Sequence, residues 1–119
     1  MMKTITAYPE ITVIRPSGPF NASNAAEFQS QIVKVVTATE QSSVLVDLEQ
    51  VEFMDSAALM ALVHGLRLAQ SLGKRFSLCS VSPSIKIIFE LTQLDRVFEI
   101  FDSEATFARA IAARKELMK

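Results

Sequence analysis

One cysteine, one histidine and three glycines leave few chemistries open to this chain. Cys79 alone can close no internal disulfide and is no metal cluster. Its place in the alternating stretch FSLCS, Phe76 to Ser80, reads as a buried structural thiol. An excess of charge of one sign is also lacking: 12 basic and 13 acidic side chains leave a net charge of -1. No global field then favours nucleic acid or an anionic membrane, and any partner has to be recognised by a local surface. Long hydrophobic runs are missing too. The longest, Ala57 to Val63, falls far short of the roughly 18 residues of a membrane span. The N-terminal MMKTITAYPE lacks the apolar core and small-residue cleavage site of a signal peptide. A soluble, cytoplasmic protein is expected, with no membrane and no nucleic acid among its partners. There is no Gly/Ser-rich linker, internal repeat or low-complexity block, and 119 residues suit one core, so 1–119 is expected to form a single domain.

What is present is half hydrophobic, 50% of the chain, and patterned. Lys3 to Ala7 and Ile11 to Arg15 are short β-type stretches around Tyr8-Pro9-Glu10, the pattern of an antiparallel pair that Pro16, Gly18 and Pro19 then end. From Asn24 the period changes. Ala25, Phe28, Ile32, Val35 and Val36 recur at helical spacing, and Asn24 with Glu27 is a variant of the capping box. VLVDL, Val44 to Leu48, is an almost continuous apolar run and reads as a central strand covered on both faces. A helix follows from Asp55 or Ser56 to about Leu72, stopped by Gly73. Phe76 to Ser80 reads as a strand, Ser82-Pro83 as the start of a short helix, Val97 to Phe101 as a last strand, and Asp102-Ser103 as the opening of a helix through about Leu117. The fold class this order implies is α/β: a sandwich with a mostly parallel sheet, an N-terminal antiparallel hairpin and about four helices.

Ser56 stands where a central strand hands over to a helix, the place at which open α/β sheets put ligands and chemistry. Along that helix Leu59, Leu62, Val63 and Leu66 form the stripe that packs on the sheet, leaving Ser56, Met60, His64 and Arg67 on the other side. A capping role for Ser56 is the plain alternative. A hydrolase is not: the sole histidine, His64, lies eight residues along the same helix, roughly 12 Å away, and there is no G-x-S-x-G. An aspartyl-phosphate receiver with Asp47 as acceptor is the alternative of another class. Its Mg²⁺ chemistry needs further carboxylates after the first strand and a lysine near the last, whereas Ile11 to Phe20 holds no acid and VFEIFD no lysine. No Walker loop, dinucleotide fingerprint or metal-ligand pair is present, so neither cofactor nor metal is expected.

VLVDLEQVEFMDSAAL, GKRFSLCSVSPSIKIIF and LDRVFEIFDSEATF, with the upstream GPFNASNAAEF, resemble the STAS domain of bacterial anti-sigma factor antagonists from about Thr4 to Ile111. Asp55-Ser56 matches that family's D-S-x-G-L motif. The resemblance implies a non-enzymatic switch. The serine, here Ser56, is phosphorylated by an anti-sigma factor that is itself a serine kinase; a metal-dependent phosphatase of PP2C type reverses this; the unmodified form binds the kinase and frees a sigma factor. The implied partner-binding surface is Asp55, Ala57, Ala58, Met60 and His64 with the loop residues Asn21, Ser23 and Asn24. Ala58 stands where the motif has Gly, adding a methyl at the helix end a partner would approach. Asn21 stands where an acid is common and Ala57 where Ser is frequent, so Ser56 is the motif's only hydroxyl. Within the same fold, a scaffold or sensor module that is never phosphorylated is the alternative.

Overall fold

The computed structural model describes residues 2–8 and 10–117. Strands β1 (Met2–Tyr8) and β2 (Ile11–Pro16) pair antiparallel, Thr4 opposite Ile14. Pro9, expected in their turn, lies outside the described residues, and Glu10 takes a left-handed φ of 66°. Three later strands join side by side: β4 (Ser43–Asp47), β6 (Arg75–Cys79) and β7 (Glu99–Phe101). The sheet order is β1-β2-β4-β6-β7, parallel from β2 onward. Every residue of β4 is buried, polar Ser43 and Asp47 included, as suits a strand covered on both faces.

Period-two alternation splits these strands between two cores. Ile14, Val44, Val46, Phe76 and Leu78 face helices α1 (Ala25–Ala38), α2 (Ser56–Ser71) and α3 (Pro83–Leu91). Ile11, Val13, Leu45 and Cys79 face the last helix, α4 (Glu104–Leu117), through Phe107. The first core is much the larger. Within it α1 and α2 approach so closely at Gly65 that a β-carbon there would lie 2.6 Å from Cγ2 of Ile32. Gly73, with φ +70°, turns the chain out of α2, because a left-handed residue there costs glycine no steric penalty.

The structure adds two strands to the sequence reading. β3 (Gly18–Phe20) and β5 (Val51–Met54) pair in parallel as a separate ribbon. Neither shows a strand period: β3 is three residues long with Pro19 inside it, and β5 buries only its ends, Val51 and Met54. The last strand is also shorter than Val97 to Phe101, because a 3-10 turn over Leu94–Arg96 leaves Val97 exposed before β7 begins. Finally, Asn24 precedes α1 without capping it. Its Oδ1 accepts the N–H of Asn21 at 2.8 Å and its Nδ2 donates to the carbonyl of Pro19 at 3.1 Å. The side chain closes the loop behind it, and no capping box with Glu27 forms.

Candidate functional site

The β3–β5 ribbon delivers two segments to one place. β3 runs into the loop Asn21–Asn24, β5 runs into Asp55 and the start of α2, and the N–H of Asp55 donates to the carbonyl of Phe20 at 3.1 Å. Asp55 is the N-cap. Its Oδ1 accepts the N–H of Ala58 at 3.1 Å, satisfying one of the donors that a helix start leaves open. Its Oδ2 accepts the N–H of Ala22 at 2.8 Å. The loop is fixed internally by Asn21, whose Oδ1 accepts both the N–H of Ser23 at 2.9 Å and its hydroxyl at 2.5 Å. One carboxylate therefore caps the helix and holds the loop beside it.

With the cap supplied by Asp55, the Ser56 hydroxyl has no capping role. It is exposed and makes no hydrogen bond among the described residues. Met60, His64 and Arg67 follow it along the exposed side of α2, with Met60 56% exposed. Ala57 is half-buried, Asn21 and Asn24 are half-buried and Ser23 is exposed. The Ala22–Asp55 bond sets the loop beside the start of α2, where Ser56 opens the exposed side of the helix.

Ala58 does not belong to it. It is 0% exposed, packed in the core cluster with Leu62 and Ala61, so its methyl faces the protein interior and no partner can touch it. The helix turns the third residue after the cap inward, which corrects its placement among the docking residues. Phe53 is the residue that sequence reasoning missed. It lies in β5 two positions before Asp55 and keeps 49% of its surface exposed. In a strand of four residues an inward and an outward aromatic look alike, so no sequence signal could have singled it out.

Asp47 and Cys79 are both buried at the carboxyl ends of adjacent strands. Burial, with Asp47 nearby, pushes the Cys79 thiol up to about 12, consistent with a structural thiol. Asp47 accepts the N–H of Glu49 at 3.0 Å, and burial together with the neighbouring Glu104 pushes its carboxyl up to about 6. Among the described residues no group of three or more His, Cys, Asp or Glu could hold a metal ion, so the receiver reading of Asp47 has no ligand set to draw on. No helix among them is long and apolar enough to cross a membrane.

The family model of the STAS domain matches residues 2–107. A provisionally named anti-sigma factor antagonist of Thermotoga neapolitana is 27% identical over 94 residues, covering 79% of this chain and 83% of that one. Among solved structures, an anti-sigma factor antagonist from Mycobacterium paratuberculosis superposes with a TM-score of 0.79 at 21% identity, over 93% of each chain. The Bacillus cell fate determinant SpoIIAA in its phosphorylated form superposes with a TM-score of 0.70 at 17% identity, over 93% of this chain and 99% of that one. At these identities the two structures speak for the fold.

Proposed function

We propose, for a chain that belongs to the STAS domain family, that it is a non-enzymatic anti-sigma factor antagonist of the cytoplasm, switched by reversible phosphorylation of Ser56. The observation that carries this reading is the uncovered Ser56 hydroxyl at the N-terminus of α2, beside a carboxylate already committed to two backbone donors. A related fold exists in a phosphorylated form, which supports it.

The chemistry follows from position. A phosphoserine carries about -1.5 to -2 charge, and the open N–H groups and dipole of a helix start favour such an anion, so modification leaves the fold intact. Its effect falls on docking. Asp55 cannot turn away from the phosphate without releasing Ala22 and Ala58, so negative charge accumulates in the patch. A partner covering Ser56 would have to desolvate that charge, and a penalty of about 3 kcal/mol weakens binding roughly a hundredfold. The partner is an anti-sigma factor that acts as serine kinase on Ser56, and a PP2C-type phosphatase resets the switch. The docking surface is Phe53, Asp55, Ala57, Met60 and His64 with Asn21, Ser23 and Asn24.

Intact-mass analysis after incubation with the cognate kinase and ATP should show one added phosphate, mapped to Ser56. Ser56→Ala should bind the partner as the unmodified wild type does and accept no phosphate, whereas Ser56→Asp should bind roughly a hundredfold more weakly. Equal affinity of Ser56→Asp and wild type would remove the switch and leave the scaffold reading.

A further inference from the structure

Helix α3 turns one side to the core and leaves the opposite side without a partner in the chain. Ile85 and Phe89 are buried beneath it, whereas Ile87 is 56% exposed and Leu91, at 79%, is the most exposed large apolar side chain described. One helical turn separates Ile87 from Leu91, so the two stand side by side on the outer face, about 6 Å apart along the axis. Lys86 and Glu90 are exposed as well and, at the same spacing, lie together on one flank of that apolar pair. Among the described residues neither side chain enters a salt bridge.

We propose that this face of α3 docks on the same face of a second copy of the chain, the two helices running antiparallel about a two-fold axis. Such an axis reverses the helix direction and sets each flank against its own counterpart, so every contact is made twice. Ile87 of one copy then packs on Leu91 of the other, and Lys86 of one meets Glu90 of the other. Reversed, the flank is complementary to itself, and this selects a second copy as the occupant. A lipid surface is disfavoured, because one lysine beside one glutamate offers anionic headgroups no net positive charge.

The size of the patch sets the strength of the pairing. Two apolar side chains and their charged flank contribute on the order of 300 Å² per copy, well under the roughly 800 Å² that a stable complex buries on each partner. The dimer is therefore weak and reversible. Sedimentation equilibrium of the unmodified chain, with no other protein present, should show monomer and dimer exchanging between about 10 µM and about 1 mM. Leu91→Glu should weaken association at least about tenfold, since it buries a carboxylate against Ile87. Lys86→Glu and Glu90→Lys should each weaken it about fivefold at low ionic strength, as like charges then face each other twice. The double exchange of Lys86→Glu with Glu90→Lys should restore the wild-type constant, because the pairs re-form with their signs swapped.

A chain that stays monomeric up to about 1 mM overturns the proposal. So does a dimer that Leu91→Glu leaves intact, which places the contact on another face, and so does a double exchange no tighter than the single ones. Should circular dichroism show that a variant has lost its fold, amide NMR shifts of the wild type over the same concentrations take its place. Shifts centred on Ile87 and Leu91 support the pairing, and shifts confined to other elements overturn it.

Discussion

Asp55 and Ala22, 33 residues apart, are joined by a hydrogen bond of 2.8 Å from the Ala22 N–H to the Asp55 carboxylate. The same carboxylate caps α2 through Ala58, so the loop and the helix start are held in one arrangement by one side chain. A partner reading both at once reads a surface that Asp55 has assembled.

Removing that side chain should cost both functions. Asp55→Ala is expected to lose about 1 kcal/mol for the cap and about 1 kcal/mol for the loop bond, lowering the urea midpoint. Asp55→Asn retains one acceptor oxygen and should recover about half of the loss. A destabilisation by Asp55→Ala under about 0.5 kcal/mol would show that neither bond matters in solution.

Met60 and Ala58 lie two residues apart on α2 and should respond oppositely. Met60→Ala, at a position 56% exposed, should alter stability by less than about 0.5 kcal/mol while weakening partner binding about tenfold. Ala58→Gly, which restores the motif's residue at a site 0% exposed, should cost about 1 kcal/mol of stability through the lost methyl and the freer backbone. Its affinity for the partner should stay unchanged. Titration calorimetry beside denaturant melts separates the two, and altered affinity in Ala58→Gly would return that residue to the interface.

Helix propensity alone says that Gly65→Ala should stabilise α2 by about 1 kcal/mol. Packing says the reverse, because the new β-carbon would come within 2.6 Å of Ile32 Cγ2 and 3.2 Å of the Phe76 ring. Neither side chain has room to yield in a buried core, and a net loss of about 1–3 kcal/mol is expected. A stabilised variant in thermal or chemical unfolding would mean that α1 and α2 are not as close as described.

The residues themselves encoded whatever repeats within one element. The helical stripe of α2, the apolar run of β4, the stop at Gly73 and the Asp55-Ser56 pair at a helix start were all legible, because a helix or strand repeats its contacts every few residues and the spacing records the face. Where the spacing is too short to repeat, it was silent. The β3–β5 ribbon and the exposed Phe53 occupy stretches of three or four residues in which no period can be counted, whereas Ala58, one turn before the buried Leu62, lay within reach of the α2 period and was misplaced despite it. Asn24 misled for a related reason: a capping residue beside a helix can bond forward or backward, and only the loop's closure on Pro19 and Asn21 selects one. The meeting of Asp55 with Ala22, and of Arg15 with Asp47 and Glu104, belonged to the tertiary structure alone. Those groups lie far apart along the chain, and their approach is set by how the sheet and its helices pack as a whole, a property no local pattern of side chains contains.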